Sequence, residues 1–135
     1  MRALRNIHSA LRPGGVLLDM QPARHSRLEL ALPDGRTLTA GAIDESPGYA
    51  ATEAALDALR TVVAVGLFAP EVEREFEFLY HFDGLDEWRE HMAGNWHRAR
   101  VSPDLVARAR ELVAGHPEGA LRISRTLRAA RLRRL

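Results

Sequence analysis

Residues 71–82 (EVEREFEFLYHF) restrict the fold more than any other part of the chain. Val72, Phe76, Phe78, Tyr80 and Phe82 fall on one face of an extended chain. Glu71, Glu73, Glu75 and Glu77 fall on the other, and Arg74 alone interrupts the apolar side. Period two sustained over this length predicts a strand with one face packed and one face polar. A row of carboxylates needs water or cations opposite it. The chain offers cations at its C-terminus, where arginines are interleaved with Leu121, Ile123 and Leu127. A second long strand over about 120–132 is the expected neighbour, since opposite charges across a strand pair are favourable. A sheet with a long antiparallel edge follows.

The remaining elements read in order. Leu4, Ile7 and Leu11 give a helix over 2–11 one apolar stripe, and Pro13-Gly14-Gly15 stops it. Val16-Leu17-Leu18 is a continuous apolar run, as in a strand covered on both faces. Leu28, Leu30 and Leu32 alternate with polar or small residues up to Pro33-Asp34-Gly35, a turn, and Arg36 to Asp44 returns as the second strand of a hairpin. Gly41 marks a bulge in it. Ser46-Pro47 opens a long helix with Leu56, Leu59, Val63 and Leu67 inward, closed by Gly66 and Pro70. Asp83 caps a helix through Trp88 to about Trp96, and Ser102-Pro103-Asp104 starts another that ends near Gly115. The expected class is α/β with α+β character: a mixed, largely antiparallel sheet flanked by helices, in a single domain over 1–135.

Composition narrows function mainly by exclusion. There is no cysteine, which removes disulfides, thiolate metal sites and cysteine nucleophiles. No apolar run approaches the roughly 20 residues of a membrane span, and no secretory signal pattern is present, so the cytoplasm is the expected location. The net charge of +1 provides no overall pull toward nucleic acid or membranes. All 19 basic residues are arginine, and six lie at the C-terminus: Arg122, Arg125, Arg128, Arg131, Arg133 and Arg134. A basic platform for nucleic acid is a distant alternative to a solvated strand there.

The segment from Ala3 to Leu18 (ALRNIHSALRPGGVLL) resembles the helix, turn and fifth strand of class I S-adenosylmethionine-dependent methyltransferases. In that family an amphipathic helix runs through Leu-Arg/Lys-Pro-Gly-Gly into a buried apolar strand, and the last two strands form an antiparallel hairpin at the sheet edge. Here those two strands are 71–82 and 120–132. The stretch from Gly66 through Trp96 is similar to the C-terminal region of small-molecule-type members. The resemblance covers nearly the whole chain and implies a partial Rossmann-like sheet. It begins two residues after Met1, ahead of which the family carries its cofactor-binding strands. No glycine-rich turn after a strand occurs here, and Gly14-Gly15 stand in the opposite order, after a helix and before a strand. The resemblance therefore implies a truncated protein that lacks the S-adenosylmethionine-binding half. No catalytic, cofactor-binding or metal residue is assigned, and S-adenosylmethionine is implied only for full-length relatives.

Two groups are candidate contact residues. Asp19, Gln21, Arg24 and His25 follow the buried strand, at the end that faces the ligand crevice in doubly wound sheets, and Tyr49 is placed in the same region. They are candidates for substrate contact. Phe78, Tyr80, Trp88 and Trp96, with Phe76, are candidates for an apolar pocket, aromatic side chains being frequent in such walls. Trp88, Met92 and Trp96 also have the spacing of ordinary helix packing. Glu87 and His91 share a helix face without further ligands, which reads as a surface ion pair.

Three functions follow as expectations. The first is a truncated methyltransferase-like protein without catalysis of its own, its apolar fifth strand left with an open edge. Such an edge predicts a homodimer or a separate N-terminal half as partner. The second is a methyltransferase active only with that partner half. The third is a small α+β module that binds a small molecule or dimerises.

Overall fold

The computed structural model describes residues 2–135 and has mixed α/β content. Nine elements follow in order: α1 (Arg2–Ala10), β1 (Val16–Pro22), β2 (Arg27–Ala31), β3 (Thr37–Ala42), α2 (Ser46–Ala64), β4 (Phe68–Phe82), α3 (Leu85–Gly94), α4 (Pro103–Gly115) and β5 (Ala120–Arg134). The five strands form one open sheet in the order β1-β5-β2-β3, with β4 also paired to β5. β5 pairs antiparallel with β1 over Leu127–Arg133 and with β2 over Ala120–Ser124.

Contacts divide the chain into two compact units that interleave in sequence. Two clusters of buried residues form, one in each unit. Alternation along a strand says which residues are buried, and says nothing of which core receives them. β4 and β5, each of 15 residues, contribute to both units.

The first unit comprises residues 1–23, 50–76 and 127–135. Its core is Leu59 and Val62 of α2, Phe68 of β4, and Ala130 and Leu132 of β5, with Leu4, Leu11, Leu17, Val63 and Leu67 packed on it. The Pro-Gly-Gly turn delivers β1 to this core. Gly14 has φ +74°, and a Cβ on Gly15 would lie 2.8 Å from the Arg12 carbonyl oxygen, so neither position admits a larger residue without strain. Gly14 N–H donates to Arg134 O and Arg134 N–H to Gly15 O, which ties the turn to the end of β5. Pro70 lies inside β4 and does not close α2 as expected. The helix ends at Ala64 and Gly66 turns the chain after it with φ +75°, and a proline is tolerated near the start of a strand at the sheet edge.

The second unit comprises residues 24–49 and 77–126. Its larger core gathers Leu28, Leu30 and Leu32, Ala40 and Ile43, Phe82, Trp88 and Met92, Leu105 and Ala109, and Leu121 and Ile123. The β2–β3 register shifts between Leu28 and Glu29, with Leu28 opposite Gly41 and Glu29 opposite Thr39, so the bulge falls at Gly41 as the sequence predicts. α4 starts as expected: the Ser102 hydroxyl accepts the Leu105 N–H at 3.1 Å. α3 differs, because Gly84 occupies its N-cap without a side-chain bond. Asp83 contributes its backbone N–H instead, which Glu87 Oε2 accepts, as the returning arm of a capping box would.

The glutamate face of β4 meets the arginines of β5. Arg128 holds Glu73 through two bonds of 2.6 Å, Arg131 and Arg133 both reach Glu71, and the Ser124 hydroxyl donates to Glu77. Partner numbers fall on one strand as they rise on the other, as in antiparallel pairing. Arg134 donates to Leu11 O, Arg122 pairs with Glu29, and Arg125 pairs with Glu45. Each of the six C-terminal arginines therefore has an acceptor within the chain.

Candidate functional site

Glu45 stands at the end of the hairpin, where the chain turns into α2, and is 9 % exposed. A buried carboxylate needs several donors to offset lost hydration. It has them. Ser26 N–H donates to Oε2 at 2.9 Å and Ser26 Oγ–H to Oε1 at 3.0 Å. Arg125 Nη2 donates to Oε1 at 2.7 Å, and Arg125 Nε donates to Ser26 Oγ at 2.9 Å. Ser26 is itself fully buried, and its carbonyl accepts the Ile43 N–H at 2.8 Å. The network joins the start of β2, the end of the hairpin and the middle of β5.

This ion pair forms the polar wall of a cleft of about 250 Å³ within the second unit. Ile123, Met92 and Ala99 line it with apolar surface, Phe78 and Tyr80 of β4 and His91 of α3 form an aromatic wall, and Asn95 and Arg98 complete the rim. The Tyr80 and His91 rings lie 4.9 Å apart at 32°, and His91 also approaches Phe82 at 5.3 Å. Asn95 Nδ2 donates to His91 O at 2.8 Å, which fixes the amide with its oxygen free of that bond. Arg98 follows α3, with its N–H bonded to Asn95 O at 2.9 Å. The arrangement offers ring stacking, one neutralised ion pair and one further guanidinium. Within the cleft nothing pairs a nucleophile with a base, and among the described residues no group of three or more potential ligands could hold a metal.

The sequence candidates distribute unevenly around this site. Phe78 and Tyr80 line the cleft. Trp88 does not: it is fully buried in the core, and its place at the cleft is taken by Met92, one helical turn on. Trp96 is 74 % exposed, because α3 ends at Gly94 and the Trp88-Met92-Trp96 helical stripe is broken before its last member. Phe76 belongs to the first unit.

Asp19 and Gln21 lie in the first unit, Arg24, His25 and Tyr49 in the second. Gln21 Nε2 donates to Asp19 Oδ1 at 3.0 Å, and Asp19 Oδ2 faces Arg128 at 3.7 Å. His25 and Tyr49 rings approach to 4.9 Å. Partial burial holds the Tyr49 phenol above its usual pKa, and the charges of Glu45 and Asp44 push it further the same way, so the hydroxyl stays a donor at neutral pH. The Ser46 hydroxyl and N–H both donate to Asp44 and hold its carboxyl below the usual range.

Sequence reasoning missed Glu45, Arg125, Asn95 and Arg98. Ser26 and Arg125 are far apart in the chain, and no motif joins them. The one available signal was Glu45 itself, an acidic residue directly before a capped helix in an otherwise apolar-polar hairpin. No family model, no curated protein and no solved structure matches the chain, and none of these comparisons identifies a methyltransferase.

Proposed function

We propose that this chain is the substrate-side part of a methyltransferase-like fold, without catalysis of its own, and that it acts in the cytoplasm. It supplies the antiparallel edge of a sheet and takes its missing neighbour from a second copy or from a separate cofactor-binding half. β1 is the observation that carries this reading. The strand after Leu11-Arg12-Pro13-Gly14-Gly15 pairs only with β5 among the described strands, and it is not covered on both faces as expected: Leu18 and Met20, on one face, are exposed at 72 % and 65 %. An apolar strand with one unpaired edge is a template for another strand. β5 lying antiparallel beside β1, with β4 also paired to it, agrees with the edge hairpin that the resemblance implies.

The residues present do not fit S-adenosylmethionine. Gly14 and Gly66 join helices to strands, and Gly35 sits in the hairpin turn. The connection before α2 holds no glycine, and Gly84, in the connection before α3, is extended and not left-handed. Calorimetry with S-adenosylmethionine is expected to show no binding, and submillimolar binding would overturn the reading. Light scattering at micromolar concentration is expected to show a dimer that Leu18→Lys with Met20→Lys converts to a monomer. A monomeric wild-type protein would refute the open-edge argument. Among the described residues, no helix is long and apolar enough to cross a membrane.

A second reading, a small α+β ligand-binding module, is favoured by the cleft of the second unit. The two are compatible, since a substrate-side half needs a place for its substrate.

A further inference from the structure

We infer that the cleft of the second unit binds a small, planar aromatic anion of the benzoate class, its ring against Tyr80 and His91 and its carboxylate on Arg98. The inference rests on reading the cleft as a ligand site and adds the chemistry of the ligand.

Charge decides the sign. Glu45 and Arg125 neutralise each other, and both carboxylate oxygens of Glu45 already accept bonds from Ser26 and Arg125. A cationic ligand would have to displace one of those donors from a buried group. Arg98 is exposed at the rim, and no acidic side chain pairs with it among the described residues. The cleft thus carries a surplus positive charge, presented by a planar fork that matches a carboxylate.

Shape decides the rest. Phe78, Tyr80 and His91 offer ring faces, and Met92, Ala99 and Ile123 offer apolar contact below them. A flat ring gains from both surfaces. The volume lies just under the roughly 300–1,000 Å³ usual for ligand cavities, which favours a single ring over a fused or flexible ligand. A phosphate-bearing ligand ordinarily recruits several donors, whereas the second guanidinium here is committed to Glu45 and Ser26. Asn95 Oδ1 is placed to accept a hydroxyl on the ring, so a hydroxybenzoate fits as well as benzoate.

The test is a titration of the isotope-labelled full chain with benzoate and with benzamide, its uncharged isostere, followed by amide chemical shifts. Benzoate should shift the backbone amides of Asn95, Ala99 and Ile123 and the Asn95 side-chain amide, with millimolar or tighter affinity. Benzamide should bind about tenfold more weakly, the loss of one charge-assisted bond at a partly exposed site. Arg98→Ala, a surface change that spares the core, should weaken benzoate about tenfold and leave benzamide unchanged. Equal binding of the two probes, or an Arg98→Ala protein that retains benzoate, would overturn the anion assignment while keeping the cleft as a site. Shifts from neither probe would remove the ligand-site reading itself.

Discussion

Replacing Glu45 with alanine tests the network on which the cleft depends. The carboxylate accepts three bonds, and two of its donors belong to a serine with no exposure. Its removal leaves the Ser26 N–H and hydroxyl without that acceptor, and a stranded buried polar group costs about 1–3 kcal/mol. The Arg125 side chain is 39 % exposed, so water regains most of what it loses, and that part is worth about 0.2–1 kcal/mol. The sum, with each stranded Ser26 group at the low end of its range, is about 3 kcal/mol. For a chain of 135 residues this corresponds to a fall in Tm of about 10 °C. Arg125→Ala leaves the buried Glu45 carboxylate without its cation and with only the two neutral donors of Ser26, and should cost a similar amount, about 3 kcal/mol. Urea unfolding of wild type, both single variants and the double variant closes the cycle, with a coupling of about 1 kcal/mol expected between contacting partners. If either Glu45→Ala or Arg125→Ala unfolds within about 0.5 kcal/mol of wild type, the network is not what organises this end of the hairpin.

Gly119→Ala should destabilise by about 1–3 kcal/mol, although removing a glycine from a loop commonly stabilises. A Cβ there would lie 2.6 Å from Leu30 Cγ, and Leu30 is 1 % exposed with no room to move; a thermal scan showing an unchanged or higher Tm would contradict the packing. The bidentate bond from Arg128 holds the Glu73 carboxyl below its usual range. A depressed folded-state pKa adds stability above the unfolded value near 4.5, and that stability is lost as pH falls through the folded value. Because the Glu73 side chain is 57 % exposed, Glu73→Gln should cost only about 0.2–1 kcal/mol at pH 7, and the difference from wild type should vanish in acid. A difference that grows as pH falls would reverse the assignment.

Strand existence and facing were legible in the sequence wherever the pattern was local. The alternation in 71–82 sets which residues of β4 share a face, and the interleaved arginines of β5 name its partner, because charge on one strand has to be answered on the next. The expected packing of the apolar face is not found: Val72, Phe76, Phe78 and Tyr80 are exposed, and only Phe68 and Phe82 at the ends of the strand are buried, because no helix covers its middle. The Pro-Gly-Gly turn, the bulge at Gly41 and the Ser102 cap were legible for the same reason, since each is set by the backbone freedom or hydrogen-bonding reach of a few adjacent residues.

The site was not legible in that way. Ser26, Glu45 and Arg125 come from three separate stretches, each unremarkable alone, and acquire meaning only where folding removes water from all three together. Trp88 and Trp96 show the complementary limit. They are the same residue type at helical spacing, yet one is sealed in the core and the other stands in solvent, because the helix between them ends at Gly94. Likewise Gly119 reads as a loop glycine until Leu30 is placed against it. The sequence by itself determined the elements, which residues share a face and the pairing of β4 with β5, all consequences of short-range geometry and charge. Only the tertiary structure decided that the apolar faces close around two cores, and that an ion pair and an aromatic wall meet in one cleft, because burial is a property of what distant segments exclude together.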